Sequence, residues 1–278
     1  TGVDLIHGCI TGLAQEIAQL MKLSPNLQRM DSVMVAANIK KLSQLELFYT
    51  CVCNLAKIMN MRGIELPDEQ KHYLEKDDDN LVIYHQRNQD MLERIKTIIT
   101  EGEILLSLCE GNLDDTSEYQ LLIRLFKEQT ILDDDGTRRI RTKEEREENS
   151  KYLRTPVDPE ATFRRKVKDH IGYVGNVLET VGESGSVITD YAYEQNIYSD
   201  SHFLQDYLAG QPEKEKIEVT LVTDGAYSSE QNQKEAAKHG IRLVPTNFTT
   251  TKPAAIIAEF KFSEDGTRVL ECCNSKKP

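Results

Sequence analysis

Apolar residues recur at three- and four-residue intervals between Leu5 and Met21, at Ile6, Ile10, Leu13, Ile17 and Leu20, and this spacing predicts an amphipathic helix. "KLSPN" closes it, because Pro25 disfavours helix in the residue before it. A short β-type run around Val33 and Val35 follows, with Asp31 near its beginning. From Ile39 the helical period returns through Leu42, Leu45, Leu47, Tyr49, Val52, Leu55 and Ile58, and "MRGIELP" ends it. Residues 65–150 are charged and carry no persuasive strand pattern; helices are expected at 68–76, 80–107 and 116–129. This stretch reads as a helical insertion, followed by a connector of mixed charge with two prolines that runs to Asp169.

The pattern changes at His170. "HIGYVGNVLETV" and "SVITDYAYEQN" are β-type runs joined by "GESG", whose glycines suit a tight hairpin. A short helix follows, with Ser199 and Asp200 at its entry and Gly210 at its exit. "IEVTLVTD" is nearly continuous in apolar residues, as a central strand covered on both faces would be. "SSEQNQKEAAKHG" is a helix with a Ser228-x-x-Gln231 capping box and a Gly240 stop. "IRLVPTN" supplies another strand, and "AIIAEFKFSEDGTRVLECC" reads as a hairpin turning at "EDG". Adjacent hairpin strands followed by strands alternating with helices predict an α/β fold whose mixed sheet joins an antiparallel portion to a parallel one. The expected units are 1–38 (helix and first core strand), 39–160 (helical insertion and connector) and 161–278 (the rest of the core).

The chain of 278 residues is long enough to bury a sizeable core. Its net charge of −12 argues against a protein that coats nucleic acid nonspecifically, though not against a local basic surface. None of the six cysteines makes a paired C-x-x-C spacing, so free thiols are expected. With neither a membrane-length apolar run nor a leader pattern, no membrane association and a cytoplasmic setting are expected. The chain starts with Thr1 and enters a helical pattern at once, as an internal piece of a longer protein would.

Asp224 closes the apolar strand, where open α/β sheets place their ligands. Gly225 lets the backbone turn, and the next helix would point its amino end at the same crevice. On the local sequence alone, a carboxylate that merely caps the turn is an equal alternative. Asp31 matters if its strand neighbours that of Asp224, because two adjacent carboxylates repel unless a cation lies between them. Mg²⁺ or Mn²⁺ suits hard oxygen ligands, with substrate phosphate completing the shell.

The blocks "LQRMDSVMVAANIKKLSQLELFYT", "TFRRKVKDHIGYVGNVLETV", "SVITDYAYEQNIYSDSHFL" and "TLVTDGAYSSEQNQKEAAKHGIRLVPTN" together resemble the bacterial insertion-sequence transposases of the DDE type. The resemblance spans nearly the whole chain. It implies an RNase H-like fold with a large helical insertion after the first strand, and cleavage and transfer of double-stranded DNA at transposon ends. It makes Asp31, in "RMDS", and Asp224, in "TDGAY", the first and second catalytic, metal-holding acids. It also implies a homodimer for the complete protein. The family's third acid, a Glu on a helix after the last strands, has no counterpart; Glu259, Glu264 and Glu271 lie in or beside the terminal hairpin. A truncated or internal fragment, inactive in strand transfer, is therefore expected.

Arg164, Arg165, Lys166 and Lys168, preceded by Arg138, Arg139, Arg141 and Lys143, are the candidates for DNA phosphate contact. Interleaved Glu residues make a solvated, salt-bridged surface the reading that composition favours. Tyr227 is expected to pack with its hydroxyl in water, Asp190 to lie on the polar face of a strand, and the six histidines to be surface or structural groups. Two other functions compete: a non-catalytic remnant acting by DNA or protein binding, and an unrelated Mg²⁺-dependent phosphohydrolase using Asp224.

Overall fold

The computed structural model describes residues 5–79, 82–83, 91–142, 144–145, 150–165, 168–246, 261–263 and 269–271. Helix α1 (Leu5–Leu20) leads into strand β1 (Leu27–Ala36), which is longer than the apolar run around Val33 predicts. The helical unit follows: α2 (Gln44–Met61), a 3-10 helix (Asp68–Leu74), α3 (Met91–Cys109) and α4 (Ser117–Gln129). Helix α2 starts where the sequence writes Ser-x-x-Glu. Ser43 Oγ accepts the Glu46 N–H at 3.2 Å, and Glu46 Oε2 accepts the Ser43 N–H at 2.7 Å, closing a capping box. Phe48, Val52, Leu55, Ile95, Ile99, Leu122 and Leu125 bury against one another in a core that belongs to these helices.

Three features depart from the sequence expectations. The segment expected to be helical at 68–76 is a 3-10 helix, and the helix expected over 80–107 is observed from Met91; residues 80–81 and 84–90 lie outside the described residues. The 65–150 stretch, expected to be free of strands, contains a small hairpin, β2 (Thr130–Leu132) and β3 (Arg138–Ile140), and the connector after it holds a further strand, β4 (Thr162–Arg165).

The sheet half is a mixed α/β arrangement. Strands β5 (Asp169–Gly182) and β6 (Gly185–Gln195) form the expected hairpin around Glu183 and Ser184, with Gly182 paired to Gly185. Helix α5 (Asp200–Ala209), strand β7 (Lys214–Asp224), helix α6 (Glu230–Lys238) and strand β8 (His239–Thr246) follow. Ser199 caps α5 by accepting the His202 N–H. Helix α6 is capped by Ser229, which accepts the Asn232 N–H, one residue beyond the serine the sequence pattern indicates. Strands β9 (Lys261–Phe262) and β10 (Val269–Glu271) pair antiparallel; the expected "EDG" turn between them lies outside the described residues.

In the main sheet β5, β1, β7 and β8 lie side by side, and β6 and β4 both pair with β5. β1 runs antiparallel to β5 and parallel to β7, and β7 runs parallel to β8, so β1 is where the antiparallel and parallel portions meet. Met30, Leu178, Leu221, Ile241 and Leu243 point to one face, where Leu204 and Leu208 of α5 and Ala236 of α6 complete a second core. Where the chain leaves β1, Ala37 donates its N–H to Ile171 O at 3.0 Å. Gly172 meets this exit at φ +143°, and a Cβ there would lie 2.4 Å from Val35 O, so the crossing depends on glycine.

Candidate functional site

Met30 of β1 pairs in parallel register with Thr223 of β7, so the next residue on each strand, Asp31 and Asp224, stands level with the other. Neighbouring strands lie about 5 Å apart, and successive side chains alternate between faces. Met30 and Thr223 are buried on the helix-covered face. Asp31 and Asp224 therefore both point to the opposite face, the first half-buried and the second exposed.

Asp224 is the last residue of β7 and precedes a single 3-10 turn, Gly225–Tyr227, yet its side chain makes no cap hydrogen bond to that turn. The turn-capping alternative lacks its defining contact here. Asp31 accepts the Ser32 N–H through Oδ1 at 2.8 Å, which fixes the carboxylate beside the strand. On the same face Arg29 is paired with Glu179 across β1 and β5. Val33, 56% exposed, extends that face beyond Asp31. Among the described residues no group of three or more His, Cys, Asp or Glu side chains that could hold a metal is assembled. Glu271 stands in β10, and Glu259 and Glu264 lie outside the described residues.

Beneath the pair, on the covered face, is a polar network that local sequence patterns do not announce. Tyr227 is fully buried, and its hydroxyl oxygen accepts from Asn176 Nδ2 at 2.6 Å. The expected solvent-facing hydroxyl is thus replaced by a buried hydrogen bond. Ser32 Oγ donates to Asp200 Oδ1 at 2.6 Å, tying β1 to the first turn of α5. Burial, and after it the neighbouring Asp200 carboxylate, raises the Tyr227 phenol above its ordinary value. Asn232 Nδ2 donates to Tyr227 O at 2.7 Å and to Ser201 Oγ at 2.8 Å, fastening the turn after Asp224 to α5 and α6. The only sequence clue is a tyrosine three residues past a strand-ending acid.

The basic candidates lie elsewhere. Arg164 donates to Asn196 O at 3.0 Å and Tyr198 O at 3.3 Å, so its guanidinium braces the backbone after β6. Arg165 pairs with Asp169 at 3.2 Å across the β4–β5 turn, and Lys168 is exposed beside it. Lys166 and Lys143 lie outside the described residues. In the connector Arg138 bonds Glu103 at 2.7 Å, and Arg139 bonds both Asp133 and Glu145. Those hydrogen bonds from Arg139 hold the Glu145 carboxyl down at about 2.

Other ionisable clusters are separate from the pair. His72 places Nδ1 2.9 Å from Asp78 and Nε2 3.7 Å from Glu101, while Tyr49 and Tyr73 donate to the same two carboxylates. His7 of α1 meets Asp190 of β6 at 2.7 Å. Cys9, Cys51, Cys53 and Cys109 are free thiols, and Cys272 and Cys273 lie outside the described residues. Among the described residues no helix is long and apolar enough to cross a membrane. No protein-family model, curated protein or solved structure matches the chain.

Proposed function

We propose that this chain carries part of the catalytic core of a DDE-type transposase with an RNase H-like fold, acting on double-stranded DNA with Mg²⁺ or Mn²⁺. The observation that carries the reading is the level placement of Asp31 and Asp224 on adjacent parallel strands, facing the same way. Two carboxylates so placed repel each other, and an oxygen-seeking divalent cation removes the repulsion. The donor set fits: both ligands are hard oxygens, and the Asp224 carboxylate makes no cap bond to its own turn. The mixed sheet, antiparallel on one side of β1 and parallel on the other, accords with this core.

Held there, a divalent cation would supply charge stabilisation to the attacking and leaving oxygens of a phosphodiester. The residues of the chain have distinct parts. Asp31, fixed by the Ser32 N–H, and Asp224 hold the charge. Asn176, Tyr227 and Asn232 fix the turn after Asp224 and so its height above the sheet. Among the described residues of the basic segment before β5, Arg165 and Lys168 remain as candidates for phosphate contact. They lie beyond the Gly172 end of the β1–β5 ladder, roughly 25 Å from Asp31 at the usual strand rise. Duplex DNA laid across the open face from the acid pair to the β4–β5 turn would span that distance.

Mn²⁺ titration of the 278-residue chain, followed by water-proton relaxation, tests the proposal. Weak binding that falls at least about tenfold in both Asp31→Asn and Asp224→Asn is expected, because each carboxylate supplies a ligand. Binding that is equal in the wild type and both variants would overturn it.

A further inference from the structure

Helix α1 touches the body of the protein through a narrow strip. Ala14 and Ala18 are its buried residues, and His7 on the adjoining side bonds Asp190. Ile6, Ile10, Leu13, Ile17 and Leu20 are left 71%, 48%, 59%, 39% and 83% exposed. Their spacing of four, three, four and three places them within a narrow arc of the helix, the repeat of a coiled-coil seam. We propose that this seam pairs with the same seam of a second copy of the chain, making α1 a two-stranded dimerisation helix.

Three observations select that occupant. Ile10 and Ile17 fall at one seam position, and Ile6, Leu13 and Leu20 at the other. β-Branched residues at the first and mostly Leu at the second is the distribution that favours two strands in parallel coiled coils. The five seam residues run the length of α1 and are left open by the chain itself, a contiguous apolar stripe of the kind that marks a protein contact and that an identical stripe would cover. The only ionisable side chains of α1 that carry acid or base are His7 and Glu16, besides the Cys9 thiol; with no Lys or Arg on its polar face, the helix lacks the cations that hold an amphipathic helix on an anionic lipid surface.

Helix stability points the same way. α1 contains Gly8 and Gly12 in its interior, and each weakens the helix relative to Ala. A 16-residue helix with such residues is marginal unless its apolar face is covered. The pairing is independent of the proposed DNA chemistry, since α1 supplies neither Asp31 nor Asp224.

Sedimentation equilibrium of the 278-residue chain across a concentration series tests the inference. A monomer–dimer equilibrium is expected, tightening as salt screens the repulsion between two copies of net charge −12. Leu13→Glu with Ile17→Glu should raise the dissociation constant roughly a hundredfold or more while leaving the far-ultraviolet circular dichroism of the fold in place. Leu13→Cys in a Cys9→Ser background should give a covalent dimer on oxidation, because position 13 lies at the centre of the seam. A chain that stays monomeric, or a dimer indifferent to the double substitution, overturns the proposal. So does flotation of the monomeric wild-type chain with phosphatidylserine vesicles that the double variant abolishes.

Discussion

Asn176 Nδ2 donates to the buried hydroxyl of Tyr227 at 2.6 Å, so a residue of the antiparallel hairpin holds the turn that follows the last residue of β7. Tyr227→Phe keeps the ring packed but leaves Asn176, itself 4% exposed, short of an acceptor. A loss of about 1–3 kcal/mol in urea unfolding is expected. Mn²⁺ affinity should fall as well, because the turn that sets Asp224 loses its brace. Unchanged metal affinity would assign Tyr227 to stability alone.

Gly102 lies in α3 where a Cβ would sit 2.8 Å from Phe126 Cζ and 3.0 Å from Val52 Cγ2. Gly102→Ala gains helix propensity but overpacks the helical core. Denaturant titration should show a net destabilisation of about 1–3 kcal/mol.

Burial raises the phenols of Tyr49, Tyr73 and Tyr227. In the unfolded chain a tyrosine loses its proton near its reference value of about 10. The stabilisation from a raised phenol is therefore fully present below that pH and is lost as pH rises above it. Alkaline titration followed by phenolate absorbance should show these three tyrosines ionising only together with unfolding. Smooth titration of every tyrosine with the fold intact would contradict this burial.

Cys9 is exposed, whereas Cys51 is buried and its thiol is pushed up to about 12 by burial. Burial also raises the Cys53 and Cys109 thiols. Thiolate-directed labelling of the native chain should modify Cys9 rapidly and spare these three until denaturant is added. Peptide mapping of the labelled protein distinguishes the sites.

Arg165 and Lys168 flank the β4–β5 turn, and Arg164 is engaged with backbone carbonyls. Fluorescence anisotropy with a labelled duplex should show Arg165→Ala and Lys168→Ala each reducing the salt slope of binding by about one. Arg164→Ala should instead lower stability. Equal effects of all three on DNA binding would remove the distinction.

Long, regular elements were legible because their period is set by the faces they bury. The spacing from Leu42 to Ile58 foretells α2, and "HIGYVGNVLETV" with "GESG" foretells the β5–β6 hairpin. β2, β3 and β4 escape because three or four residues such as "RRI" and "TFRR" are too short and too charged to alternate; partner strands make them. Two adjacent serines before α6 offer two similar caps, and the sequence pattern selects the wrong one. The end-of-strand position of Asp224 is readable locally, but its level placement with Asp31 depends on a pairing across more than a hundred intervening residues. The Asn176–Tyr227 bond is likewise a product of the folded sheet and leaves no mark on either residue's neighbours in sequence.

The position of β1 also bears on the order of assembly. Both strands that flank it, β5 and β7, come more than a hundred residues later, whereas the helices of the intervening unit bury mainly one another. During synthesis from the amino end, the helical unit can condense while β1 still waits unpaired. The sheet then closes by long-range contacts that form slowly. Its acid pair comes into being only when β7 arrives, so the proposed metal site cannot form before that strand is made.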